Sequence, residues 1–194
     1  MATPLGHGLA GLLVYELEWI SSRRGPDLTL LAACVFMAFA PDLDFLPGVL
    51  LGTPALYHQG LSHSLSVALV LGLAVAWGLR PRPLGRTWAL LSAAYATHLA
   101  LDWLGPDGRP PVGMPLLWPL SDVHFLSPVT VLMGVRHADT TFVSNREWLT
   151  SIFGLYNVGA VALEILLVAP FVVVLQRLRR RRESQSAPPT GGDA

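Results

Sequence analysis

The sequence is short of charge. Only 13% of its 194 residues are Asp, Glu, Lys or Arg, where a soluble globular domain carries about 25%. With 52% hydrophobic residues and a mean hydropathy of +0.50, the composition implies a membrane protein. Lysine is missing altogether. All thirteen basic residues are arginine, and five of them stand in Arg177-Leu178-Arg179-Arg180-Arg181-Arg182. The single cysteine, Cys34, excludes an internal disulfide and argues against thiolate ligation of a metal. Net charge is zero, and no nucleic-acid partner is expected. The first residues lack the basic start of a signal peptide, and the apolar stretch behind them holds His7, Glu16 and Glu18. No internal repeat is visible.

Apolar runs and their breakers divide the chain into about five helical segments, which predicts an all-α, polytopic membrane bundle. Leu5 to Ile20 mixes apolar positions with glycines and two glutamates, and stops at Ser21-Ser22-Arg23-Arg24-Gly25-Pro26. Pro26-Asp27 suits the start of a second helix over Leu28 to Ala40. That run is short for a bilayer, which needs about 20 residues, and Pro41 breaks it. Phe45 to Leu51 is apolar, but Pro47 and Gly48 predict a poor helix. Ser62 is placed to cap a third helix from His63 to Leu79, and a fourth follows over Thr87 to Leu104. Gly105 to Thr150 is a long connection whose Trp and Phe content points to packing rather than disorder. Ser151 to Gln176 is the clearest span, and membrane helices tolerate its Pro170. Residues 1–182 read as one membrane-embedded domain and 183–194 as a disordered cytoplasmic tail.

Arginine placement predicts orientation. Arg23-Arg24, the Arg80 to Arg86 turn and the Arg177 to Arg182 cluster should all face the cytoplasm. Threading five segments under that constraint puts His7, Asp42, Asp44, His58, His63, His98, Asp102 and the long connection on the outer side. The histidines took no part in that assignment, so their convergence is independent support for one site.

His98 and Asp102 are four apart, which turns a helix by about 400° and sets both on one face. Asp42 and Asp44 follow the helix-breaking Pro41. His58 and His63 are five apart across Gly60, a spacing natural for a loop feeding a helix. His7 sits between small residues. Singly, each has a bland explanation: a helix-end hydrogen bond, a Pro-Asp turn, a loop pair, a satisfied core histidine. Jointly, four histidines and three carboxylates can hold two divalent ions with about three protein ligands each and room for water. Nitrogen and oxygen donors without cysteine suit zinc, manganese or iron alike. Such ions lower the pKa of water and steady both oxygens of a phosphoester displacement, so hydrolysis is expected. Asp44, His63 and Asp102 are assigned the water's proton, and Ser62 and Ser64 cap and support. Glu164, with Asn157 seven residues earlier, is an intramembrane carboxylate and thus a functional candidate, with a helix contact as the competing role. Glu16 and Glu18 are read as interfacial. His124 and His137 are read as exposed loop residues, with closure of His124 over the site as the alternative.

The order of motifs now matters: an early His7, Pro41-Asp42-Leu43-Asp44, His58-x-Gly60-x-x-His63-Ser64, His98-x-x-x-Asp102, then Pro115-Leu116-Leu117-Trp118-Pro119-Leu120-Ser121. From about Thr3 to Ser121 this resembles the YdjM-type family of bacterial inner-membrane, metal-dependent hydrolases. The resemblance implies a helical fold akin to zinc-dependent phospholipases C and single-strand nucleases. It implies metal-binding roles for His7, Asp42 or Asp44, His58, His63, His98 and Asp102, with zinc foremost and manganese or iron as alternatives. Where the family's loop reads His-Arg-Gly, this chain has His58-Gln59-Gly60 and lacks the cation. The expected protein is a multi-pass inner-membrane hydrolase with its site towards the outer face, acting on a small-molecule or lipid phosphoester among membrane lipids. A metal transporter or sensor using the same ligands is the first rival. A scaffold in which metal only ties helices together is the second.

Overall fold

The computed structural model describes residues 1–22, 25–53, 56–108, 111–137 and 144–186. Helix α1, Pro4–Ser22, opens as its sequence dictates. Proline stands at the first position, where its missing N–H is not needed, and the Thr3 hydroxyl accepts from the Gly6 N–H at 3.2 Å. Helix α2, Leu28–Phe39, is capped by Asp27, whose carboxylate accepts from the Leu30 N–H at 3.0 Å. Arg82 grips the same carboxylate through Nε at 2.8 Å and Nη2 at 3.0 Å. That guanidinium holds the Asp27 carboxyl below the usual carboxylate range.

Beyond α2 the chain tightens into a 3₁₀ turn, Ala40–Asp44, and runs on as α3, Phe45–Leu51. This corrects the expectation of a poor helix. Pro47 lies in the first turn of α3, where N–H groups have no intrahelical partner in any case. Gly48 is buried, and Gly52 ends the helix at φ 77°, a conformation glycine adopts without strain. Helix α4, Leu65–Gly78, begins after the expected His63. Its cap is Ser64, which accepts from the Val67 N–H at 3.4 Å, while His63 belongs to a 3₁₀ turn, Leu61–His63. Helix α5 is Leu84–Trp103.

The last expected segment divides. Ser144 and Glu147 form a reciprocal capping box that starts a short α6, Asn145–Ser151. After a break comes α7, Leu155–Ser186, which passes through the arginine cluster instead of stopping at Gln176. Arginine favours helix, and Arg179 pairs with Glu183 one turn on at 3.4 Å. The predicted tail is therefore helical from Glu183 to Ser186, and residues 187–194, like Arg23 and Arg24, lie outside the described residues.

Helix α1 packs on α2, α5 and α7, α4 on α5, and α2 on α5. Tyr15, Cys34, Met37, Leu91, Tyr95 and Leu99 fill the space between them. Among the described residues, two stretches are long and apolar enough to cross a membrane, Leu28–Leu51 and Leu155–Gln185, and Leu65–Gly78 is a shorter apolar helix. Charge is segregated along the bundle. Arg86 pairs with Glu18 at 2.7 Å, Arg179 with Glu16 at 3.4 Å, and Arg182 donates to the Ile20 carbonyl at 2.8 Å. These sit with the Asp27–Arg82 pair at one end. Sixteen residues of α5 separate Arg86 from Asp102, a rise of about 24 Å, so the His/Asp residues occupy the other.

The α1–α2 crossing depends on Gly11. A Cβ there would lie 2.8 Å from the Cys34 carbonyl oxygen and 2.9 Å from the Val35 Cα, both backbone atoms that yield only if the helices part. Gly11→Ala is expected to destabilise the fold by about 1–3 kcal/mol. Gly78→Ala, with nothing within 4 Å, should leave stability unchanged or slightly raised. Thermal unfolding of both variants in detergent is the measurement, and equal midpoints would remove the close crossing as a constraint.

Candidate metal centre

Five segments of the chain meet at the end of the bundle opposite the Asp27–Arg82 pair. Helix α5 delivers His98 and Asp102 from one face, one turn apart, as their spacing requires. The 3₁₀ turn after α2 delivers Asp42 and Asp44, the turn before α4 delivers His63, and the connection from α3 delivers His58. All seven predicted residues, with His7 from the first turns of α1, are brought together. Six of them, all but His7, form two groups whose ligand atoms lie within 4.8 Å of one another: Asp42, His63, His98 and Asp102, and Asp44, His58 and His63.

In the first group, His98 Nε2 is 3.3 Å from His63 Nε2, 3.5 Å from Asp42 Oδ1 and 3.4 Å from Asp102 Oδ2, and His63 Nε2 is 3.5 Å from Asp102 Oδ2. A tetrahedral ion with bonds of roughly 2.0–2.2 Å sets its ligands ~3.3–3.6 Å apart. His63, His98 and Asp102 are separated by three such edges, and Asp42 adds a fourth, to His98. Asp42 Oδ1 and Asp102 Oδ2 are buried and have no hydrogen-bond partner among the described residues, which is costly for carboxylate oxygens unless a cation completes them. The protein also fixes which nitrogens point inward. His98 Nδ1 lies 2.8 Å from the Ala38 carbonyl oxygen, which can only accept, so the Nε2 lone pair is left for the centre. Pro41 offers no N–H to the carbonyls one turn back, and Ala38 supplies one of them.

The second group is differently made. Asp44 Oδ1 takes His58 Nδ1 at 2.8 Å, and Oδ2 takes the Ser62 hydroxyl at 2.6 Å and the Gln59 N–H at 3.1 Å, with His63 Nδ1 at 3.3 Å. Its oxygens already have donors. Asp44 therefore orients two imidazoles, the support that metal-bound histidines commonly receive from a carboxylate. Ser62 links Asp44 to His63 Nδ1, 3.0 Å away, and Tyr95 donates to the Ser62 carbonyl at 2.6 Å.

His7 stands on the far side of Asp102. Its ring stacks on His98 with centroids 3.8 Å apart, its Nε2 is 3.3 Å from Asp102 Oδ1, and neither ring nitrogen has an aligned hydrogen-bond partner among the described residues. Asp102 Oδ1 also accepts from the Ala2 N–H at 2.6 Å. Sequence reasoning did not foresee Thr3, although Thr-Pro before an apolar run is a readable helix start. Its N–H donates to Glu164 at 2.9 and 3.1 Å, and its hydroxyl donates there too. Glu164 thus sits at the positive N-terminus of α1 and anchors it beside the centre. Asn157 instead binds the Arg136 and Ile152 backbone.

The long connection straps α4, and further on it also reaches the N-terminus beside Asp102, where the Val135 N–H donates to the Met1 carbonyl at 3.0 Å. Leu116 accepts from the Leu65 N–H at 2.9 Å, and Trp118 accepts from Ser66. His124 is exposed, bonded to the Asp122 carbonyl, and His137 is half-buried near Trp148, so neither joins the centre. A cavity of ≈ 370 Å³ lies at the arginine end, lined by Tyr15, Trp19, Asp27, Arg82 and Arg86 among others. Its arginines are already paired with carboxylates, and it is remote from the His/Asp groups.

Burial pushes the His58 imidazole below its ordinary value despite the Asp44 carboxylate beside it. For His63, burial acts the same way, but contacts with Asp102 and Asp44 outweigh it and lift the group to about 9. A metal-free protein at neutral pH therefore carries a proton on His63, and a divalent ion must displace it. The affinity for Zn²⁺ or Mn²⁺ should rise between pH 6 and about 9 and level off above. Calorimetric titration in buffers of different ionisation enthalpy should register about one proton released per ion at pH 7. Binding with no proton release would place the ion away from His63.

No curated protein matches the chain, and no solved structure does, so the likeness to phospholipases C and single-strand nucleases rests on the motifs alone. The model of one family, described as the YdjM inner membrane protein, matches residues 1–182. That span runs from the segment that anchors Asp102 to the last arginine of α7, and the chain belongs to the YdjM inner membrane protein family.

Proposed function

We propose that the protein is a multi-pass, metal-dependent hydrolase of the bacterial inner membrane, cleaving a phosphoester near the outer face. The observation that carries this is the pair of orphaned carboxylate oxygens beside two inward Nε2 atoms: Asp102 Oδ2 is 3.5 Å from that of His63 and 3.4 Å from that of His98, and Asp42 Oδ1 is 3.5 Å from that of His98. The set fits one divalent ion, zinc before manganese or iron, held by His63, His98 and Asp102, with Asp42 beside the open fourth position. A second ion would draw on Asp44 and His58 and would have to compete with the donors Asp44 already has. When bound, an ion here supplies Lewis-acid chemistry: it acidifies a water and offsets charge on phosphate oxygens.

The side chains divide the remaining work by exposure. Asp102 and His63 are closed off, whereas the Asp42 side chain is 19% exposed and that of Asp44 12%. Substrate and water therefore approach at the Asp42 edge. There the water oxygen bonds to phosphorus as the ester P–O bond breaks, and the leaving oxygen takes up a proton. Asp42 is placed to receive the water's proton. Asp44 keeps His63 and His58 turned inward, and Asp102 holds the closed side. This narrows the expected trio of Asp44, His63 and Asp102 to positioning and ligand roles. A transporter would need donors along a path through the bundle, yet between this cluster and the arginine end the core is made of Tyr15, Met37, Leu91 and their neighbours. A scaffold would not need a ligand edge open to the surface.

The test is paired. His98→Ala and Asp102→Asn should each lose bound metal and metal-dependent hydrolysis of phosphoesters, while Ser64→Ala keeps both. Retained metal and unchanged activity in the two ligand variants would discard this centre.

The arginines support a cytoplasmic placement of their end. In a Cys34→Ala background, Asp107→Cys should react with an impermeant thiol reagent on spheroplasts and Ser186→Cys should not. The reverse labelling would invert the topology.

A further inference from the structure

Helix α3 presents two different faces. Inward, the Phe45 ring stacks on His58 with centroids 3.9 Å apart and meets Trp148 at 5.4 Å, and Gly48 is buried. Outward, Leu43, Leu46 and Leu50 are 47%, 54% and 84% exposed. Leu46 and Leu50, four apart, share one face of α3, and Leu43 precedes them in the 3₁₀ turn that runs into the helix. They form an apolar stripe roughly 10 Å long by helical rise. Helix α3 continues directly from the 3₁₀ turn carrying Asp42 and Asp44. The stripe thus begins between the two carboxylates that reach the surface and runs away from them.

We infer that the substrate is a membrane amphiphile whose acyl chain lies along Leu43, Leu46 and Leu50 while its phosphate reaches the metal centre at the Asp42 edge. The chemistry of the head group rests on the hydrolase reading above; the docking of the chain rests on α3. Membership of an inner-membrane family puts lipid within reach of every outward apolar face, but bulk lipid does not distinguish one face from another. On α7, Leu166 and Phe171 are 70% and 63% exposed and lead to no ligand group. On α3 the stripe ends at the centre. The side chains grouped at the head of the stripe, Asp42, Asp44, His58 and His98, are carboxylates and imidazoles, which repel or are neutral towards an anion. Binding of the phosphate therefore requires the ion, and an acyl chain on α3 should be recruited by metal.

The experiment uses the full chain in nanodiscs containing Zn²⁺ or Mn²⁺ and a trace of phospholipid with a photoactivatable group in its acyl chain. Adducts on residues 43–51 are measured by mass spectrometry against adducts on α7 around Leu166. The α3 to α7 ratio should rise several-fold on adding metal over a chelator control, and not rise for diacylglycerol bearing the same chain. Leu46→Gln/Leu50→Gln should abolish the rise with metal content intact, and Asp42→Asn should abolish it through the centre. A ratio indifferent to metal, or equal for phospholipid and diacylglycerol, overturns the inference and leaves α3 an ordinary lipid-facing helix. Product release from the same phospholipid reports on the hydrolase reading separately. Metal-dependent adducts without product retain the docking and sink the hydrolysis; cleavage of water-soluble phosphoesters without metal-dependent adducts does the opposite.

Discussion

Everything at the His/Asp end turns on the burial of Asp102. Its side chain is inaccessible, and an anion in that position is unfavourable by several kcal/mol unless donors or a cation meet it. The chain meets it from four directions. Ala2 gives a backbone N–H, His7 comes from α1, His63 from the turn before α4, and His98 from one turn back along α5. One oxygen is satisfied by the protein and the other is not. That asymmetry separates a structural carboxylate from a ligand, and it fixes which way the centre faces.

The same economy governs the opposite end. Glu16, Glu18 and Asp27 are each held by an arginine from a distant part of the chain. Helices with few polar residues pack through small side chains, and their charged groups collect where the chain leaves the apolar layer. Positive charge at one end and histidine with aspartate at the other leave the middle to Tyr15, Met37, Leu91 and Tyr95. Beside the centre, Glu164 is a further buried carboxylate, and it has no arginine partner among the described residues. Placed on the N-terminus of α1, it stabilises that helix end and holds His7 beside Asp102.

Much of this could be read in the sequence because it obeys fixed spacings. A His and an Asp four apart on a helix share a face whatever surrounds them, and Pro41 ends α2 in any context. The arginine runs located the opposite end without reference to the ligands. What escaped depended on tertiary partners. Ser62 looks like a cap, but Asp44 takes its hydroxyl, so the cap passes to Ser64 and the helix starts later. Pro47 looks like a breaker, yet its place in a first turn makes it harmless. Nothing in the composition of Arg177 to Ser186 says that Glu16 and Ile20 wait alongside to keep the helix going. Equally, Asp42 and Asp44 are two apart and alike on paper. Only the folded chain gives Asp44 its full set of donors and leaves Asp42 Oδ1 with none.

The interruption between α2 and α3 ties these points together. A continuous helix would bury its backbone carbonyls in its own ladder and carry its side chains past the site at a fixed pitch. The 3₁₀ turn alters both. It puts Asp42 and Asp44 into adjoining groups instead of on one regular face, and it leaves the Ala38 carbonyl available to His98 Nδ1. In a membrane protein such irregular backbone is tolerated where it lines a polar site inside the protein. Proline at 41 is thus more than a stop signal. By withholding one N–H, it helps select the imidazole tautomer that turns a lone pair towards Asp42 and Asp102. Chain geometry and ligand chemistry are set by the same residue.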